Sequence, residues 1–309
     1  TGRRDTNHEY STNPCGEILL RPNQFCNLSE VIIREHDTLD SLKRKVKYAT
    51  ILGTLQASLT DFRYLRKIWR DNTVEEALIG VSLTGIMDNK ITSDKDIVEI
   101  DSFLTELKEE AIKVNKKYAK IIGINQATAV SCVKPSGTVS QMVNSSSGIH
   151  PRFSKYYVRR IRMDKKDPLC NVLKDNNIPF EDDQINPGAY VFSFPINSPE
   201  NSVCVEDMTA LQQLEHWLDY KTHWCEHNPS VTIYIREQEW LEVGAWVYKN
   251  FDNIGGLSFL PLVGYTYKQQ PYEKIPKEEF EELDSKMPKN IDWDTLSKYE
   301  IEDQTTGAQ

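Results

Sequence analysis

The stretch STNPCGEILLRPNQFCNLSEV, Ser11 to Val31, sets an amide, a thiol and a carboxylate at alternate positions, Asn13, Cys15 and Glu17, with a second thiol at Cys26. If the segment is extended, side chains 13, 15 and 17 point to one side, because strand side chains alternate. Pro14 and Gly16 favour a tight loop instead, which drops the alternation but keeps the three groups close. The chemistry on offer is that of a sulfur beside a proton acceptor. A carboxylate in hydrogen-bond reach can take a hydroxyl proton, and two thiols give up two electrons on becoming a disulfide. A plain turn with a buried cysteine serving as a small hydrophobe would use the same five residues, so the surroundings must decide.

A second stretch, AVSCVKPSGTVSQM from Ala129 to Met142, runs a β-prone segment into Pro135, Ser136, Gly137 and Thr138 and then into a predicted helix. Two hydroxyls, a glycine that lets a ligand approach the backbone and free N–H groups at a helix start would make a phosphate cradle. The GxxxxGK[ST] loop is absent, and Ser or Thr before a helix also serves simply as a cap. His223, Cys225 and His227 lie two residues apart; on a helix residues two apart share no face, so at most the two histidines converge, and a helix surface with incidental histidines is expected rather than a metal site. Arg159, Arg160 and Arg162 are expected to be solvated or paired with acidic neighbours. Cys132, Cys170, Cys204 and Cys225 are expected to be ordinary reduced thiols.

These residues need elements to hold them. Leu42, Val46, Ala49, Leu52, Leu55, Leu59 and Phe62 recur every three or four residues, which predicts a helix over 38–62 starting near Thr38 or Asp40. Helices are also predicted over 74–87 and 96–122, the latter with Phe103, Leu107, Ala111, Val114, Tyr118 and Ile121 on one side. Beyond these, strands are predicted at 128–133, 156–163, 190–195, 230–236 and 257–262, with helices over 207–227 and 238–250. The polar segment 164–188 reads as a loop or small excursion. Helices alternating with single strands imply crossover connections and a mainly parallel sheet or barrel of the α/β class. Two regions are expected: a catalytic domain over 1–271, and a peripheral acidic tail over 272–309 anchored by Trp293 and Leu296.

Composition narrows the function. The chain of 309 residues, 39% hydrophobic, can bury a large core. A net charge of −9 argues against a nucleic-acid polymer as partner, since neutralising phosphates takes a basic surface. No apolar run is long enough for a bilayer and no leader is visible, so a cytoplasmic location without a membrane is expected. Six cysteines without a CxxC pair suggest neither a disulfide scaffold nor a zinc ribbon.

Taken in order, NPCGEI, FCNLSEV, KPSGTVSQ, GIHPRFSKYYVRRIR, HWCEHNPSVTIYI, GLSFLPL and YKQQPYE resemble the catalytic chain of ribonucleotide reductases. The resemblance is to the adenosylcobalamin-dependent class II enzymes of the ribonucleoside-triphosphate reductase type. It implies the C-terminal part of the family's 10-stranded α/β barrel and a radical reduction of ribonucleotides, as triphosphates, to deoxyribonucleotides. Cys15 falls on the thiyl-radical position and Glu17 on the carboxylate that takes the 3′-OH proton. Asn13 falls on the amide that binds the sugar hydroxyls, Cys26 on one of two reducing thiols, and Pro135, Ser136, Gly137 and Thr138 on the substrate-phosphate loop. Adenosylcobalamin and a thioredoxin-like or other dithiol reductant are implied. Class I enzymes relay their radical through adjacent tyrosines in a stretch resembling 265–270, but here Tyr267 is followed by Lys268. The family's other reducing cysteine lies upstream of this sequence and its C-terminal cysteine pair is missing. The chain is therefore expected to be a C-terminal fragment or split piece that needs the N-terminal half of the reductase. The alternative is a non-catalytic nucleotide-binding or interaction module derived from the barrel.

Overall fold

The computed structural model describes residues 2–93, 99–262 and 267–300. In chain order the first elements are β1 (Ser11–Thr12), β2 (Leu19–Leu20), β3 (Asn27–Ile32), α1 (Leu39–Gln56), α2 (Lys67–Glu76), β4 (Ile79–Thr84), α3 (Lys90–Ser93), α4 (Ile100–Ile122), β5 (Ser131–Cys132) and α5 (Val139–Met142). There follow β6 (Tyr156–Asp164), α6 (Pro168–Asp175), β7 (Phe180–Asp182), β8 (Ala189–Asn197), α7 (Ala210–Asp219), β9 (Thr232–Ile235), α8 (Trp240–Lys249), β10 (Ser258–Pro261), β11 (Tyr272–Lys274), α9 (Lys277–Ser285) and α10 (Leu296–Tyr299). The class is α/β, and the chain divides into two units: Thr1–Arg152 with Asn201–Val263, and Phe153–Glu200 with Gly264–Gln309.

The first unit is built on parallel pairings. β3 pairs with β4 and β4 with β5, while β9 pairs with β10. A parallel bridge between Val133 and Pro229 links the two groups, closed by Ser230 N–H donating to the Val133 carbonyl at 2.9 Å. Five strands thus lie side by side in the order β3, β4, β5, β9, β10. On β3 and β4, Val31, Val81 and Leu83 belong to the helix-covered core. Alternation then puts Leu28, Glu30, Gly80, Ser82 and Thr84 on the other face. That face carries Glu30 and the small residues Gly80, Ser82 and Thr84 beside Leu28 and Ile32, where the first carries the aliphatic Val31, Val81 and Leu83. On α7 and the helical turn that continues it over Tyr220–Trp224, Trp217, Tyr220 and Trp224 are fully buried. Each has a partner for its polar end: Trp217 Nε1 donates to the Pro229 carbonyl and Trp224 Nε1 to that of Cys132, both at 2.8 Å, and Tyr220 Oη to that of Thr92 at 3.0 Å.

The helix predicted over 74–87 is not formed. Helix α2 ends at Glu76, Ala77 turns back with φ 45°, and Ile79–Thr84 is a strand buried at every position. A central strand of a parallel sheet is covered on both faces, so it lacks the alternation that marks a half-exposed strand and resembles a buried helix. Helix α1 opens at Thr38 through a capping box with Ser41, as its sequence suggested, but stops at Gln56. Its buried stripe runs through Leu42, Val46 and Ala49 and then to Thr50, Gly53 and Thr54, leaving Leu52 and Leu55 exposed. The reason is contact: Thr54 Oγ1 accepts from Asn115 Nδ2 of α4 at 3.0 Å, and Gly53 lies close over Ile79. Along α4, Phe103, Leu107, Ala111 and Val114 are buried, whereas Ile121 is exposed. Residues 96–98 of that predicted helix lie outside the described residues.

The second unit is an antiparallel sheet in the order β11-β6-β8-β7. Its core is Cys170, Leu173, Ile178 and Phe192, to which α6, a helix with Asp167 as N-cap and Pro168 in its first turn, contributes two residues. The polar excursion over 164–188 is thus an ordered helix and edge strand. Arg160 pairs with Glu273 at 2.6 Å and Arg162 with Asp183 at 2.8 Å.

Candidate active site

Asn13 to Ile18 form the tip of the hairpin between β1 and β2, in which Ser11 pairs with Leu20 and Thr12 with Leu19. The loop form is the one adopted. Gly16 N–H donates to the Asn13 carbonyl at 2.9 Å, and Gly16 takes φ +78°, a conformation that a residue with a Cβ adopts only under strain. The Asn13 side chain organises the tip: its Oδ1 accepts from Ile18 N–H at 3.0 Å and its Nδ2 donates to Glu17 Oε2 at 2.8 Å. Glu17 is buried while Cys15 stands exposed. Sulfur and carboxylate therefore occupy different environments only two residues apart.

The tip is tied to residues more than two hundred positions away. Ser230 Oγ donates to the Cys15 carbonyl at 2.6 Å, Asn228 Nδ2 to that of Gly16 at 3.0 Å and Asn228 N–H to that of Glu17 at 3.1 Å. Asn228 and Ser230 flank the Val133–Pro229 bridge, so the loop is pinned at the seam where the strand series passes from β5 to β9. Both belong to the HWCEHNPSVTIYI motif, yet no sequence rule marked them as site residues.

Cys26 precedes β3 and lines a cavity of about 370 Å³ whose wall includes Phe25, Phe62 and Tyr64. Burial pushes its thiol far above the ordinary range, with Arg4 opposing and Glu17 adding to the rise. Glu17 is thus close enough to act on Cys26 as well as to bond Asn13. Cys132 is fully buried, and burial raises its thiol too. Arg4 lies at the same end of the unit, bonded at 2.8 and 2.9 Å to the buried carboxylate of Glu76.

Pro135 to Thr138 follow β5. Ser136 is buried with φ 53°, and Gly137 and Thr138 are exposed. The helix behind them, α5, has four residues, too short for a macrodipole of any size. Within the described residues the backbone N–H groups of Gly137, Thr138 and Val139 donate to nothing, and successive free N–H groups at a turn form an anion-binding nest. His223 and His227 do not converge. His223 lies 3.5 Å from Asp101, whereas buried His227 meets the Ile79 carbonyl through Nε2 at 3.1 Å. Tyr265 lies outside the described residues, and Tyr267 is exposed.

No family model matches the chain. Over 311 residues it is 30% identical to an adenosylcobalamin-dependent ribonucleoside-triphosphate reductase of Lactobacillus gasseri, covering 91% of this chain and 41% of that one. An enzyme of the same description from Euglena gracilis is 27% identical over 285 residues, covering 90% and 38%. This chain is related to adenosylcobalamin-dependent ribonucleoside-triphosphate reductases. It spans about two fifths of the length of these reductases. A B12-dependent class II ribonucleotide reductase shares its fold with a TM-score of 0.81 over 95% of this chain and 44% of the other, at 24% identity. The alpha subunit of a class Id reductase from Actinobacillus ureae aligns with a TM-score of 0.51 at 12% identity, covering 81% and 53%. At these identities the solved structures speak to fold alone. Among the described residues no helix is long and apolar enough to cross a membrane.

Proposed function

We propose that this chain carries the radical thiol, one reducing thiol and the substrate-phosphate loop of an adenosylcobalamin-dependent reductase that converts ribonucleoside triphosphates to deoxyribonucleotides. The carrying observation is the Cys15 loop: an exposed sulfur whose neighbours Asn13 and Glu17 are locked in place by one another and by Asn228 and Ser230. A site held this way is preorganised for a bound sugar. The five strands in series support the further reading that this unit is half of a 10-stranded barrel, since among the described residues β3 and β10 each pair on one side only.

In this reading the Cys15 sulfur, as a thiyl radical, takes the hydrogen atom from ribose C3′. Glu17 accepts the 3′-OH proton, and Asn13 orients Glu17 and the sugar hydroxyls. Loss of the 2′-OH as water is matched by oxidation of two thiols to a disulfide, so C2′–OH becomes C2′–H with two electrons and two hydrogens supplied by sulfur. Cys26 is one of the two. Its thiol, held protonated by burial, carries the hydrogen it must give. The second thiol and the barrel's other strands belong to the remaining length of the reductase, and a dithiol protein such as a thioredoxin would restore the pair. Exposure of Cys15 fits a large cofactor, because a corrin can reach the sulfur from the open side of the loop. Adenosylcobalamin, when bound, supplies the one-electron oxidant that the thiol requires. Replacing Cys15 with Ser in the assembled enzyme should abolish deoxynucleotide formation with nucleotide binding intact, because an alcohol cannot hold the radical at accessible energy. Retained turnover would overturn the assignment.

A further inference from the structure

On the second face of the β3–β4 pair, Glu30 stands opposite Ser82, which in turn stands opposite Cys132. Both carboxylate oxygens of Glu30 are shut off from solvent without a hydrogen-bond partner, and so is the hydroxyl of Ser136. These are the loose ends of one place. Ser136 and Lys134, both on the segment after β5, are the groups that act on the Glu30 carboxyl: the Ser136 hydroxyl lies beside it without closing a well-formed hydrogen bond, and Lys134 acts by its charge. From β4 the facing residues are Gly80, Ser82 and Thr84, none of them charged, and Ser82 Oγ is engaged by the Lys134 N–H at 2.9 Å. Burial raises the Glu30 pKa, with Ser136 and Lys134 opposing. Just beyond Ser136 lie the unengaged N–H groups of Gly137, Thr138 and Val139.

An anion in that nest would set a second negative charge in front of an ionised Glu30, whose own oxygens are shut off from water. A like charge disfavours the ionised carboxylate further, in the same direction as its burial, and the group that can take the proton is Glu30. A neutral carboxyl, unlike a carboxylate, can both donate to and accept from a serine hydroxyl.

Building on the phosphate-loop reading above, we propose that Glu30 is a positioning residue for that loop: it takes up a proton as the anion binds at Gly137–Val139, and the resulting carboxyl hydrogen-bonds Ser136 Oγ behind the bound phosphate. The substrate's phosphate tail and one proton then bind together. The sign follows directly. Affinity is highest below the Glu30 pKa of the free protein and falls as pH rises through it, to a plateau above the pKa of the complex.

Sulfate is the suitable probe, since its charge is constant from about pH 5 to about pH 8, where carboxyl and imidazole groups titrate. Titration calorimetry of this chain with sulfate, in buffers of different ionisation enthalpy, counts the protons taken up. The wild type should lose up to about tenfold in affinity per pH unit across the Glu30 titration. Glu30→Gln, which keeps the shape and both hydrogen-bonding functions, should bind sulfate with this pH dependence and this proton uptake removed. Sulfate binding by the wild type that is flat with pH, or an unchanged slope in Glu30→Gln, overturns the role of Glu30 and leaves the loop standing. No sulfate binding at any pH, or full binding by a folded Gly137→Pro chain that has lost one of the N–H donors, overturns the loop and the proposal with it. Circular dichroism on each variant separates a lost site from a lost fold.

Discussion

His227 is neutral in the folded chain at a cost that pH reveals. Burial, with Arg4 adding to it, lowers its pKa from 6.5 to about 3. Its Nδ1 has no hydrogen-bond partner. Because the folded pKa is depressed, the unfolded chain binds the extra proton first. Stability is therefore full above pH 6.5 and falls as pH drops towards 3, by up to about 4 kcal/mol in all. Urea denaturation between these limits should show that loss, and His227→Gln should show a shallower one; equal slopes would remove His227 as the cause. At this scale the sequence was readable where chemistry is carried by residue type. Asn13, Cys15, Glu17 and Cys26 could be picked out from one motif, and the structure brings Asn13 and Glu17 into direct contact. What could not be read is what the backbone does: that Asn228 and Ser230 hold the Cys15 loop through its carbonyls, and that Glu30 ends in a dry space beside Ser136.

Among the elements, the loop after β5 depends on a close approach elsewhere. Gly148 has φ 56°, and a Cβ there would collide with the carbonyl oxygen of Lys134. Backbone cannot swing aside as a side-chain end can. Gly148→Ala should therefore cost about 2 kcal/mol or more. It should also weaken sulfate binding at Gly137–Val139, even though residue 148 carries no ligand group. Wild-type sulfate affinity in a folded Gly148→Ala chain would show that the loop is not held by this contact. Element boundaries were legible where caps and periodicity agree, as at Thr38, and misread where burial on both faces erased the period, as at Ile79–Thr84. The drift of the α1 stripe towards Thr50, Gly53 and Thr54 was hidden because small residues that admit a close neighbour do not look apolar in a sequence.

For the whole molecule, the five-strand series leaves the outer edges of β3 and β10 unpaired among the described residues. Open parallel edges seek partners. The isolated chain should self-associate as its concentration rises, and should form no deoxynucleotide over repeated turnovers with adenosylcobalamin and a dithiol. Both defects should be repaired by the rest of a reductase; a lasting monomer in sedimentation, or sustained product, would reject this account. The alternation of helices and strands foretold the α/β class and the parallel pairings of the first unit, but not the antiparallel sheet of the second. The tie between Ser230 and the Cys15 carbonyl spans 215 positions. During synthesis Cys15 is made well ahead of the residue that fixes its loop, which is added 215 positions later. At usual elongation rates of about 5–20 residues per second, that interval lasts roughly 10–40 s. Throughout it the hairpin has no anchor at Asn228 or Ser230, and the chain cannot yet hold the Cys15 loop in place.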